Sequence, residues 1–262
     1  MSQWADFESL ATEYLNDNFS DVAEFHLEGG SNSNVPDIRV ECFNGESFYI
    51  EAKSAPAQCG QFVLLPDVIT NSFVFSKRND TVLIPSAQRI IEHMNMDFEA
   101  YKEAGTAGKE IDLGDNGNTF SEWIVTTYKN KGVRYFITND FTILPVEEFH
   151  NHFNVSATYR VKRSGSSSVG LSKLKDVSKH IRGLDYPVEG FKAEGDKLFF
   201  YSSHNLHNQR FVFEGFEYMF SKRDDRFEIR KLSNTFNANV IFSIEKKFAQ
   251  GLSEDEFKSQ LK

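Results

Sequence analysis

Val35-Pro36-Asp37-Ile38-Arg39-Val40, followed by Phe48-Tyr49-Ile50-Glu51-Ala52-Lys53 with its glutamate fourteen residues after the aspartate, is the part of the chain that decides its fold. The second run is apolar, aromatic and β-branched up to Ile50, and it follows Asn44-Gly45, a strong signal for a tight hairpin turn. Side chains alternate along a strand, so Glu51 and Lys53 leave on one face while Ala52 points to the other. On the other arm, Ile38, Val40 and Cys42 share one face, and Asp37, Arg39, Glu41 and Phe43 share the opposite one. If the two arms pair, Asp37 arrives near Glu51.

Two carboxylates brought so close repel unless a cation neutralises them. Hard oxygen ligands suit Mg²⁺, which keeps positions for water and for a substrate phosphate. A metal lowers the pKa of bound water, and a lysine on the same face can orient that water or offset charge in the transition state. The plain alternative is a strand-end ion pair between Glu51 and Lys53, which stabilises little.

Pro36-Asp37 with Glu51-Ala52-Lys53 resembles the signature of the PD-(D/E)xK nuclease superfamily. Longer segments narrow the resemblance: residues 48–53, Gln58-Cys59-Gly60-Gln61-Phe62-Val63-Leu64, and 234–244 are similar to type II restriction endonucleases of the HhaI kind. The resemblance implies an α/β fold: a restriction-endonuclease-like core with a mixed β-sheet flanked by helices, plus a β-rich C-terminal DNA-recognition part. It further implies Mg²⁺-dependent cleavage of double-stranded DNA within a short palindrome, GCGC being the expected one. Carried over residue by residue, it makes Asp37 and Glu51 metal ligands, Lys53 the catalytic lysine and the carbonyl of Ala52 a third ligand. A cognate DNA methyltransferase in the same cell is implied as a functional partner. The same site also suits a structure-specific resolvase or repair nuclease, and a non-catalytic DNA- or protein-binding module is the reading from another class.

The net charge of −9 argues at first against nucleic acid. Residues 1–150 hold 10 Lys+Arg against 24 Asp+Glu, a balance of −14, whereas residues 151–262 hold 19 against 14, a balance of +5. Within 157–182 the basic residues Arg160, Lys162, Arg163, Lys173, Lys175, Lys179 and Arg182 face Asp176 alone. DNA binding needs a local basic surface, which whole-chain charge does not exclude. Arginine contacts guanine bidentately, so Arg160, Arg163 and Arg182 are the candidates for reading G·C pairs, with Lys162, Lys173, Lys175 and Asn237 as further DNA-binding candidates. Solvated charge on a mobile loop is the bland alternative.

Two cysteines, Cys42 and Cys59, are too few for a disulfide framework and lack zinc-ligand spacing. No run of 18 or more apolar residues and no leader pattern is present, so a cytoplasmic setting without a membrane is expected. The expected division is a catalytic core over 1–153 and a recognition part over 154–262, packed as one monomeric enzyme.

Helical spacing of Trp4, Phe7, Ala11, Tyr14 and Leu15 predicts a helix over 3–18 whose outer Glu13 or Glu8 can complete a metal site; solvated charge is the competing reading. Gly29 to Asn34 reads as a polar loop. Gln58 and Gln61 flank Cys59-Gly60 and suit a supporting or DNA-positioning role beside Lys53. Residues 86–101, with apolar Ile90, Met94, Phe98 and Tyr101 behind Pro85, read as a helix, Thr119 with Glu122 reads as a capping box, and Ser253 and Glu256 start a short terminal helix. Residues 164–168 read as a Ser-rich loop, and 197–203, 210–220, 226–232 and 239–247 as four strands.

Overall fold

The computed structural model describes residues 3–28, 35–247 and 250–262. The expected loop from Gly29 to Asn34 and the side chains of Trp4 and Asp6 lie outside the described residues. Contacts divide the chain into two compact units, Met1–Arg160 with Ala238–Lys262, and Val161–Asn237.

The first unit runs through α1 (Gln3–Phe19), β1 (Ala23–Leu27), β2 (Ile38–Cys42), β3 (Ser47–Lys53), β4 (Ala57–Asp67), β5 (Ser72–Phe75), α2 (Pro85–Met96), α3 (Phe98–Lys102), β6 (Lys109–Ile111), α4 (Asn118–Asn130), β7 (Val133–Thr138), β8 (Ile143–Pro145), α5 (Phe149–His152) and most of β9 (Phe153–Arg163). One sheet has the order β1-β2-β3-β7-β8. It is mixed: β3 pairs antiparallel with β2 and parallel with β7. The β2–β3 hairpin forms as the alternation requires, with Ile38 opposite Ile50 and Gly45 at the turn with φ +92°. That left-handed conformation is open to glycine without strain. The buried face of β1, β2 and β3 packs on Phe7, Ala11, Leu15 and Phe19 of α1. A second sheet has the order β5-β4-β16-β9-β6, where β16 spans Phe236–Lys246.

The second unit holds β10 (Ser166–Ser168), α6 (Leu174–Arg182), β11 (Gly190–Glu194), β12 (Lys197–Tyr201), β13 (Arg210–Phe213), β14 (Phe216–Arg223) and β15 (Arg226–Leu232). Its sheet runs β11-β12-β15-β14-β13, with β10 added on β15. Val177 and Ile181 of α6 cover a ring-rich core of Phe200, Phe211, Phe220 and Phe227.

Where the sequence pattern drew one boundary after residue 153, the contacts draw two. β9 continues as one strand past it to Arg163, and the last 25 residues return to the first unit. There β16 pairs antiparallel with β4, and α7 (Glu254–Gln260) brings Phe257 onto α1, with Leu261 beyond it in the same core. The expected strand over 210–220 is a hairpin, because Glu214 and Gly215 both take positive φ (+49° and +75°) and fold Phe213 onto Phe216. The expected Ser-rich loop is partly strand: Ser166 to Ser168 pair with Leu232 to Arg230, and the Arg230 guanidinium donates to the Ser166 carbonyl at 2.6 Å. The Thr119–Glu122 capping box does not form. Asp115 supplies the cap, accepting from the Thr119 amide at 2.9 Å and its hydroxyl at 2.5 Å, while Glu122 pairs with Arg89. The helix expected over 86–101 breaks at Asp97 into α2 and α3.

Candidate functional site

Strand β3 ends with Ala52 in the apolar core and with Glu51 and Lys53 on the other face, their Oε1 and Nζ atoms 2.6 Å apart. Glu51 is 7 % exposed, an expensive place for a carboxylate unless it is paired. Asp37 lies one residue before the Ile38–Ile50 pair, and its Oδ2 accepts the backbone N–H of Ala52 at 2.9 Å. This bond fixes the Asp37 carboxylate across the strand end from Glu51.

Burial, with Glu51 adding to it, pushes the Asp37 carboxyl up to about 7, against the pull of Lys53 and the Ala52 amide. Burial works against the charge on Lys53. Glu51, Cys59 and Asp37 outweigh it and hold the ammonium more firmly protonated than a free lysine. The group is thus a buried and a half-buried carboxylate sharing one cation, with less positive charge than it needs.

The expected glutamines come from β4, by a route that alternation does not predict. Three residues apart, Gln58 and Gln61 should face opposite ways. Between Ser243–Gln58 and Ile241–Gln61 the register slips by one residue, a β-bulge containing Gly60 at φ +96°. Both glutamines are exposed, and their side chains meet at 3.3 Å. Asn239 of β16 donates to Gln61 Oε1 at 3.2 Å. A Cβ on Gly60 would stand 2.8 Å from the Trp123 ring, so the bulge is seated directly on α4.

Helix α4 also brings Tyr128 under Lys53, with Nζ 5.8 Å from the ring centroid, while the buried Cys59 thiol, pushed up to about 12 by burial against the pull of Lys53, faces the Tyr128 hydroxyl at 4.0 Å. Asp37, Glu51, Lys53, Gln58, Gly60, Gln61, Trp123, Thr127 and Tyr128 all line one cavity of about 370 Å³, with Lys131 and the Arg78–Thr81 loop completing its wall. Trp123, Thr127, Tyr128, Lys131, Arg78 and Asn79 carried no local sequence signal: α4 reads as an ordinary amphipathic helix and Arg78-Asn79-Asp80 as an ordinary polar turn.

On α1, Glu8 rather than Glu13 approaches the cluster. Its carboxyl is raised by burial, lowered by Lys53 and raised again by Glu51, whereas Glu13 is exposed. The reason is helical phase: Glu8 lies about 60° around the helix from buried Ala11, at the flank of the buried stripe, and Glu13 about 160° away.

The basic candidates fall on both units, Arg160 on the first and the others on the second. Arg160 is half-buried on β9, and Lys162, Lys175 and Asn237 are exposed. Arg163 is engaged by Glu217, by the Ser233 carbonyl at 3.3 Å and by the Phe236 ring at 5.4 Å. Lys173 pairs with Glu214 at 2.7 Å, and Arg182 lies over Phe191 at 5.4 Å. Among the described residues, Glu24, His26 and Glu41 form another potential ligand group, but Arg39 already pairs with Glu41 and none of them lines the cavity. A wider hollow of about 590 Å³ around Asp140 and Lys246 has its carboxylate closed off by that lysine at 2.5 Å. Cys42 and Cys59 are free and buried. No helix among the described residues is long and apolar enough to cross a membrane.

A solved structure of HhaI endonuclease in complex with DNA is similar to this chain end to end, with 35 % identity, a TM-score of 0.75, and coverage of 99 % of this chain and 98 % of the other. The chain belongs to the HhaI endonuclease family. No protein-family model matches it, and no curated protein sequence does. Membership accounts for the mixed α/β architecture with several sheets.

Proposed function

We propose that this chain is a type II restriction endonuclease that hydrolyses phosphodiester bonds of double-stranded DNA within a short palindrome, GCGC, using Mg²⁺. The observation carrying this reading is the convergence of Asp37, Glu51 and Lys53 on one cavity, in a chain alignable over its whole length with an endonuclease captured on DNA. The PD-(D/E)xK signature assigns the chemistry. The residues fit a hard cation: a buried and a half-buried carboxylate in mutual repulsion, Asp37 raised to about 7, form a site that divalent charge would relieve. Asp37, Glu51 and the Ala52 carbonyl would hold it, supplying charge neutralisation at the phosphate and a water of lowered pKa.

The chain's own groups do the rest. The Ala52 amide keeps the Asp37 carboxylate aimed, and Lys53, freed from sole service to Glu51, holds its proton toward the attacking water or the non-bridging phosphate oxygens. Gln58 and Gln61, brought together by the bulge, offer amide donors to the same strand of DNA. Residues 1–153 carry the catalysis in this reading. Arg160, Lys162, Arg163, Lys173, Lys175, Arg182 and Asn237 carry DNA contact, and the enzyme acts as a monomer beside a protecting methyltransferase.

The test is digestion of a plasmid of known sequence with Mg²⁺ and with EDTA, followed by sequencing of the ends. Discrete Mg²⁺-dependent fragments ending within GCGC are expected. A smear, cleavage in EDTA or intact supercoiled DNA would overturn the reading.

A further inference from the structure

Beyond the catalytic cluster, the cavity has a wall with no role so far: the loop that follows β5. β5 ends at Phe75, opposite Leu64 on β4, and the chain then turns without leaving its neighbour. The Ser76 amide donates to the Val63 carbonyl at 3.2 Å, and the Asn79 amide returns to Ser76 O at 3.1 Å. The Asn79 side chain then takes both backbone groups of Val63, accepting from its N–H at 2.6 Å and donating to its carbonyl at 2.9 Å. Ser76 Oγ accepts the Arg78 amide at 3.1 Å. A four-residue turn is thereby clamped to β4 two residues beyond Gln61.

The side chain held out by this clamp is Arg78. It is exposed, lines the cavity with Asp37, Glu51 and Lys53, and has no ion pair among the described residues, although Asp80 lies two positions away on the same wall. The other wall cations are engaged, Lys53 by Glu51 and Lys131 at the face of Tyr128. An unpaired guanidinium on a braced loop is placed to meet an anion, because the loop is already ordered and only the side chain's own rotamer freedom is lost on binding. A DNA strand carries one phosphate per 3.4 Å of helix axis, so a scissile phosphate cannot enter this cavity without its neighbours.

We infer that Arg78, held by the Asn79 clamp, grips a backbone phosphate next to the scissile one and sets the register of the DNA strand over Asp37, Glu51 and Lys53. The inference rests on the nuclease reading above and adds a positioning contact to it. It assigns no base: one guanidinium at the rim of a cavity whose carboxylates suit a divalent cation is a backbone contact.

The experiment measures binding in Ca²⁺ of a short duplex carrying the sequence at which the wild-type protein cuts, against salt, for wild type, Arg78→Ala, Arg78→Lys and Asn79→Ala. Expected are about tenfold weaker binding by Arg78→Ala and a log–log salt slope smaller by about 0.9, one phosphate contact. Arg78→Lys should keep the slope and lose part of the affinity, and Asn79→Ala should weaken binding with the charge still present. Duplexes with one neutral methylphosphonate flanking the cut locate the contact: one substitution should weaken wild type and leave Arg78→Ala unchanged. Wild-type affinity and slope in Arg78→Ala, or an equal response of both proteins to every methylphosphonate, would overturn the inference. If wild type neither binds nor cuts the duplex, the nuclease reading fails instead.

Discussion

Replacing Gly60 by alanine tests whether the bulge in β4 builds the site. Two costs follow from the geometry. Gly60 sits at φ +96°, where an L-residue pays about 1–2 kcal/mol. Its new Cβ would lie 2.8 Å from Cζ3 and 3.2 Å from Cη2 of Trp123. That ring cannot retreat: Trp123 is 1 % exposed, stacked on Phe242 at 4.4 Å and packed on Phe62 at 5.7 Å. Overpacking of this kind costs about 1–3 kcal/mol. The sum, about 2–5 kcal/mol, corresponds to a fall in Tm of roughly 4–20 °C for a chain of this size. Calorimetry and urea unfolding followed by tryptophan fluorescence measure it. The two costs separate in a Trp123→Phe background, where the smaller ring removes the overlap and leaves the backbone strain, so Gly60→Ala there should cost only about 1–2 kcal/mol. Cleavage should fall in the single variant beyond what stability explains, because relaxing the bulge separates Gln58 from Gln61. A Tm drop below about 1 °C, or strictly additive penalties in the double variant, would refute the argument that ring and bulge are one structural unit.

Lys53→Ala should lower single-turnover cleavage by about 10²–10⁴-fold while duplex affinity in Ca²⁺ is retained; unchanged cleavage removes Lys53 from the chemistry. Asp37 sets a pH dependence. Its carboxyl is raised to about 7 in the folded protein, above an unfolded value of about 3.9. Its contribution to metal-free stability is therefore complete below about pH 4 and lost as pH rises from there to about 7. Metal must displace that proton, so Ca²⁺ affinity by calorimetry should fall about tenfold per unit below pH 7 and level off above it, with Asp37→Asn abolishing the slope. Arg163→Ala should cut the preference for cognate over unrelated duplex by about 1–3 kcal/mol in competition titrations, and an equal loss on both would mark a phosphate contact instead.

The β2–β3 hairpin was legible because everything that makes it is local. Asn44-Gly45 supplies the turn, alternation assigns the faces, and the register then brings Asp37 to Glu51. Helix α7 was legible for the same reason: Ser253 and Glu256 form their capping box within four residues. Phase-sensitive details were not. Glu8 and Glu13 differ only in angle around α1, and which one reaches the cluster depends on how that helix rolls onto the sheet. A Glu-Gly pair inside a Phe-rich run reads as a continuous strand until both residues take positive φ.

The sequence by itself determined the grouping of Asp37, Glu51 and Lys53, because a strand of period two and a tight turn fix the relative positions of residues fourteen apart. Tertiary structure decided what surrounds that trio. Tyr128 arrives from a helix 75 residues beyond Lys53, and Asn239 from a strand that returns to the first unit after the whole of the second. The bulge turns both glutamines to one side because Gly60 must fit against Trp123. Such neighbours are chosen by packing and chain topology, which exchange burial for conformational entropy across the entire fold and leave no periodic mark on the segments they join.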